Sequence, residues 1–88
     1  MNCYDFVNGE CISKMANGSR WQEFMDVAIA CPVELDFGTK VIVGGKTWEC
    51  MDRGGAITFD GEAYWIDQLT ENPQYPYGAV VEAVIIRP

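Results

Sequence analysis

A small all-β domain is the fold class this sequence predicts, on three observations. Short β-type runs recur along the chain, turn signals separate them, and apolar residues at helical spacing are almost absent. With 88 residues there is room for one domain, spanning 1–88, and no linker, repeat or low-complexity segment divides it. A chain this short buries a smaller fraction of its surface than a larger domain does, so covalent staples are expected.

The one helical candidate is residues 21–29, where Trp21, Phe24, Met25 and Ala28 fall at helical spacing with room for one or two turns. Residues 39–43 and 46–50 are β-type runs around Gly44-Gly45, the pattern of a tight hairpin. Residues 63–69 alternate, which places Trp65, Asp67 and Leu69 on one face and Tyr64, Ile66 and Gln68 on the other. Residues 79–86 are almost wholly apolar and predict a buried strand. Asn17-Gly18-Ser19, Asp36-Phe37-Gly38, Arg53-Gly54-Gly55, Asp60-Gly61 and the proline-rich stretch 72–78 supply the turns. Short strands with this punctuation suggest a sandwich or a barrel, and a barrel removes the exposed edges of a small sheet.

Cys3, Cys11, Cys31 and Cys50 form an even set in a chain with no histidine and no CxxC pair, which favours two disulfides over a metal site. Of three connectivities, Cys3–Cys11 with Cys31–Cys50 is preferred because each closes a short segment; four reduced thiols in a cytosolic protein is the alternative. A net charge of −7 and a pI near 4.2 repel phosphate backbones, so nucleic acid is excluded as an expected partner. No apolar run approaches the roughly 18 residues of a membrane span, and no charged-then-apolar leader precedes Cys3. The expected location is extracytoplasmic or secreted, the leader being missing from this chain, or phage-encoded with release on lysis. A monomer is expected.

Three segments then carry a family resemblance. They are Ala30-Cys31-Pro32-Val33-Glu34-Leu35-Asp36-Phe37-Gly38-Thr39-Lys40-Val41, Cys50-Met51-Asp52-Arg53-Gly54-Gly55-Ala56-Ile57 and Trp65-Ile66-Asp67-Gln68-Leu69. Together they resemble the 3D domain, whose pattern runs Asp-Pro, Leu-Gly-Thr-x-Val, Asp-Thr-Gly-Gly-Ala-Ile, Ile-Asp-Ile. Met15-Ala16-Asn17-Gly18 stands where that family commonly has Thr-Ala-Ser-Gly, and Tyr77-Gly78 matches its late aromatic-Gly, so the resemblance covers about residues 15 to 88. It implies a six-stranded double-psi β-barrel, grouped with rare lipoprotein A, a lytic transglycosylase catalytic domain and expansins. One departure stands out: Cys31 occupies the place of the family's first aspartate. A Cys31–Cys50 bond would put a covalent link where that aspartate made a polar contact.

The implied activity is cleavage of peptidoglycan glycan, with polysaccharide as partner and neither metal nor organic cofactor. Breaking a glycosidic bond needs a proton delivered to the leaving oxygen, hence a carboxyl group that stays protonated near neutral pH, which burial and a nearby like charge both promote. Asp67 is the candidate general acid, with Trp65 and Leu69 on its face and Asp52 placed beside it by the resemblance. A transglycosylase returns the proton through the sugar's own 6-hydroxyl. A hydrolase needs a second carboxylate, for which Asp5, Asp36, Asp52 and Glu49 compete. Trp65 or Tyr64 is the candidate sugar platform, only one of two strand neighbours being able to line a groove directly, and Trp48 is assigned to the core. Arg53 is a candidate for a substrate carboxylate, and Gly54 and Gly55, free to adopt positive φ, are counted with it as substrate-binding loop residues.

Each assignment has a plainer counterpart. Asp67 could accept backbone N–H bonds and organise the strands, Asp-Arg-Gly-Gly is good turn chemistry in itself, and Arg53 could be solvated. The rival functions are a non-catalytic glycan-binding or wall-loosening module like expansins, and a structural domain of a phage or envelope assembly.

Overall fold

A computed structural model describes residues 6–7, 10–11, 14–76 and 78–88, the first four by backbone alone. The domain is strand-rich. β1 (Phe6–Val7) and β2 (Glu10–Cys11) form an antiparallel two-stranded ladder. A second sheet holds β3 (Ala28–Ala30), β4 (Lys40–Val43), β5 (Lys46–Asp52), β6 (Asp67–Gln68) and β7 (Val84–Ile86), in the order β6-β3-β5-β4-β7.

The Gly-Gly hairpin forms as the sequence predicts. Val43 pairs with Lys46, and Gly44 (φ 58°) and Gly45 (φ 78°) both take the positive φ that a two-residue turn matching strand twist requires. Lys40 pairs with Glu49 across the same ladder, in register and as an ion pair.

β5 is antiparallel to β4 and parallel to β3, so β3 and β4 run in opposite directions with β5 inserted between them. The link 31–39 must therefore cross β5 to reach β4, which makes β3, β4 and β5 a ψ-shaped unit. Backbone bonds bind the link to the strand it crosses: the Cys31 N–H donates to Asp52 O (3.0 Å), Gly38 N–H to Cys50 O (3.0 Å) and Cys50 N–H to Thr39 O (2.9 Å). The Cys31–Cys50 disulfide closes the crossing, with Cα atoms 5.6 Å apart. The Cys3–Cys11 pairing lies outside the described residues.

Alternation along these strands builds two clusters. Ile29, Cys31, Leu35, Val41, Val43, Trp48 and Cys50 are buried together, with Tyr64, Ile66 and Ile85 packed against them. Met15, Ala28, Met51 and Leu69 form the other, flanked by Trp21, Phe24 and Met25. Trp48 takes the core position expected of it, at 1% exposure.

Three expectations are corrected. Residues 21–29 hold only a single 3-10 turn, Trp21–Phe24, because Asp26 at φ 62° breaks the helical path and Ala28–Ala30 is drawn into the sheet between β5 and β6. Residues 79–86 are not a buried strand: only Val84–Ile86 pair, and Val80 is 85% exposed and Val84 57%. β7 is an edge with β4 as its one neighbour, and of its three residues only Ile85 packs against the core. Regular pairing in 63–69 shrinks to Asp67–Gln68, although Leu69 and the pair Tyr64/Ile66 still divide between the two clusters. Among the described residues the sheet is open, β6 and β7 being its two edges. No described helix is long and apolar enough to cross a membrane.

Removing the covalent crossing destabilises the fold. The double variant Cys31→Ala, Cys50→Ala, which opens a loop with sequence separation 19, is expected to lose about 3 kcal/mol in urea unfolding. An unchanged urea midpoint would show that the backbone bonds alone hold the crossing.

Candidate functional site

Both aspartates matched by the resemblance are brought to one residue. Ala30 of β3 pairs with Asp52 of β5 on one side and with Asp67 of β6 on the other. The two therefore lie in one row across the sheet, about two strand spacings or 9–10 Å apart along the backbone. A register shift between Ile29 and Ala30 leaves Met51 as the extra residue of a bulge, the usual device for re-aiming a side chain beside a strand. Asp52 turns toward the 15–18 turn, where its Oδ1 accepts the Ala16 N–H at 2.8 Å. That turn is also fixed by Asn17 N–H on Met51 O and closes with Gly18 at φ 90°.

A cleft of about 710 Å³ opens between the sheet and the segments that follow β5. Asp67, half-buried, lies in its wall together with Tyr64 and Trp65. Val41 and Val43 floor it from β4, and Tyr75 and Val81 close it from the C-terminal segments. Asp52, Arg53, Gly54 and Gly55 are not part of that wall.

Arg53 is accordingly reassigned. Its guanidinium lies over the Phe37 ring at 4.2 Å from the centroid, and Nη1 donates to the carbonyls of Cys31 and Asp52 at 3.4 Å, so it clamps the 31–39 link to β5. The glycines after it are corrected too, since neither Gly54 nor Gly55 has positive φ. Gly54 is required for space: a Cβ there would sit 2.9 Å from Ile57 Cγ1, whereas Gly55 has nothing within 4 Å. The rule that one of Tyr64 and Trp65 must turn away fails because neither belongs to a regular strand. Of the competing carboxylates, Glu49 is paired with Lys40, Asp36 is exposed, and Asp5 lies outside the described residues.

The residue that sequence reasoning missed is Asp60, treated only as half of an Asp-Gly turn. It organises the rim of the cleft. Phe59 bridges to Tyr64 with ring centroids 4.5 Å apart, Trp65 N–H donates to Thr58 O at 2.9 Å, and Gly61 turns the tip at φ 95°. Inside that tip Asp60 Oδ1 accepts the Glu62 and Ala63 N–H groups at 2.9 Å each, and Oδ2 accepts the Trp65 indole N–H at 3.4 Å. The Ala63 and Glu62 amides hold its carboxyl below the usual carboxylate range. The available signal was an Asp-Gly pair followed five residues after the aspartate by a tryptophan.

Two further contacts fix the cleft's outline. Gln74 Nε2 donates to Val43 O (3.4 Å) and Gly44 O (3.5 Å), fastening the 73–76 segment to the hairpin turn. Arg87 ties Tyr64 to the far end of the chain, donating to Tyr64 Oη at 3.4 Å and to Glu34 O at 2.9 Å.

Two outcomes follow from this geometry. A Cβ at Gly44 would meet Gln74 Nε2 at 2.7 Å and Tyr75 Oη at 2.8 Å at a positive φ, so Gly44→Ala is expected to cost about 1–2 kcal/mol in thermal unfolding. A wild-type midpoint would show that the 73–76 segment gives way freely. For Asp60 the folded pKa lies below the unfolded value near 3.8, so its contribution is complete above that value and is lost as pH falls through the lower folded pKa. An NMR acid titration should show the Trp65 indole N–H shift moving in that window, and the movement should vanish in Asp60→Asn. Comparison with protein-family models, curated proteins and solved structures finds no match to this chain.

Proposed function

We propose that this domain cleaves cell-wall glycan of the peptidoglycan class in the cleft beside β6, with Asp67 as the acid and then the base. The observation that carries the reading is the position of Asp67: of the two aspartates beside Ala30, it alone lies in the wall that Tyr64 and Trp65 share. One carboxyl suffices for an intramolecular route. Asp67 gives its proton to the glycosidic oxygen as the C1–O bond breaks. Its carboxylate then takes the proton of the sugar's own 6-hydroxyl while that oxygen bonds to C1, closing an anhydro ring and restoring the acid. No water is consumed, and the step calls on no metal or organic cofactor.

The ψ unit of β3, β4 and β5 supports the double-psi barrel as the parent fold. The buried Cys31–Cys50 bond supports an oxidising location outside the cytoplasm.

A second reading, a glycan-binding or wall-loosening module, is favoured by one contact. Asp52 spends Oδ1 on the Ala16 N–H, which is a structural use of the second matched aspartate. Incubation of wild type and Asp67→Asn with purified murein decides between them. Anhydro-ended muropeptides from wild type, and a loss of at least 100-fold in the variant, are expected on the catalytic reading. Sedimentation of both proteins with murein and no soluble product from either would leave the binding module.

A further inference from the structure

Three aromatic side chains line the cleft among the described residues, Tyr64, Trp65 and Tyr75, and their surroundings set them different tasks. Tyr64 is built into the wall. Phe59 stacks on its ring with centroids 4.5 Å apart and planes 22° from parallel, the buried cluster that holds Trp48 packs against it, and Arg87 Nη2 donates to its hydroxyl at 3.4 Å. A ring engaged in these ways has little face left for a ligand. Tyr75 has its hydroxyl at the Gly44 turn, 2.8 Å from where a Cβ there would lie. Trp65 presents the largest ring of the three and is 37% exposed.

Trp65 is also held at both ends. Its backbone N–H donates to Thr58 O at 2.9 Å, and its indole N–H, at the edge of the ring, donates to Asp60 Oδ2 at 3.4 Å. Two anchors of this kind select one rotamer of the side chain. The second anchor is itself fixed, because Asp60 Oδ1 accepts the Glu62 and Ala63 N–H groups and the Asp60 N–H donates to Ala63 O at 3.2 Å. An aromatic ring set in place before the ligand arrives gives up little rotamer freedom on binding, and its face stacks on the C–H face of a pyranose.

We propose that Trp65 is the sugar platform of the cleft and that Asp60 is its positioning residue, with Tyr64 as wall. The proposal rests on the glycan reading above and names the side chain that receives the sugar ring. Each carboxylate oxygen of Asp60 has a separate duty, one toward the turn and one toward the indole. Asparagine keeps only the first. Its carbonyl oxygen serves the two backbone N–H groups, and its amide then sets a donor against the indole N–H, which is also a donor. Asp60→Asn therefore releases the ring while leaving the turn capped.

The test is calorimetric titration of the full chain with a tetrasaccharide of alternating N-acetylglucosamine and N-acetylmuramic acid, in an Asp67→Asn parent so that the ligand is not consumed. Trp65→Ala is expected to weaken binding about tenfold and Asp60→Asn about threefold. Trp65→Phe keeps a ring but has no N–H, so Asp60→Asn added to Trp65→Phe is expected to change nothing further. In the parent, the Trp65 indole N–H resonance should shift when the tetrasaccharide is added. Parent affinity in Trp65→Ala overturns the platform and leaves the glycan reading standing. An indole resonance that stays in place does the same, even where a variant fails to fold. No loss from Asp60→Asn, or the same loss with and without Trp65→Phe, overturns the positioning role of Asp60. Binding by neither the parent nor the wild type overturns the glycan reading and this proposal together.

Discussion

The insertion of β5 between β3 and β4 is the constraint on which the rest of the structure depends. Two strands that follow one another in the chain are kept apart by a third, so the link between them must climb over that third strand. Such a crossing places backbone N–H and C=O groups over a buried strand, where each needs a partner. The link meets that need with bonds to Cys50 and Asp52 and is closed by the disulfide. Leu35, carried at its middle, then fills the cluster that holds Trp48 and the valines of β4.

The candidate site is a by-product of that crossing. Because β3 is parallel to β5 and antiparallel to β6, Ala30 collects one aspartate from each neighbour. The small side chains of Ala28 and Ala30 suit a strand buried between others, since they leave room for neighbouring side chains. The bulge at Met51 then separates the fates of the pair: Asp52 is spent on the 15–18 turn, and Asp67 stays at the sheet edge beside the cleft. Arg53 belongs to the crossing in the same way. Its stacking on Phe37 and its carbonyl contacts make it a clamp.

The cleft's far wall follows a different logic. Residues 56–66, 73–76 and 78–83 contain little regular structure; local contacts shape the first, Asp60 within its turn and Phe59 on Tyr64, and one long-range contact, Gln74 on the hairpin, fastens the second. Polar side chains that bond their own backbone two or three residues on can fix a loop without a sheet. This is why Trp65 and Tyr64 can both face one space although they are adjacent in the chain.

Local features determined part of this protein directly. The Gly-Gly hairpin and the short Cys31–Cys50 pairing are legible in the sequence because each depends on neighbours within about twenty residues, and the burial of Trp48 and the alternation that divides Leu69 from Tyr64 and Ile66 are legible from side-chain type and pattern, although the partners they pack against are distant. The strong apolar run 79–86 and the helical spacing of 21–29 misled for one shared reason. Whether a run is buried, and whether it coils or extends, depends on which strand lies alongside, and no local pattern carries that information. Tertiary structure alone decided that Asp52 and Asp67 share Ala30, that the bulge diverts one of them, that Arg53 leaves the cleft, and that Asp60 enters it. Those outcomes depend on register and chain crossing, where a shift of one residue turns a side chain to the other face.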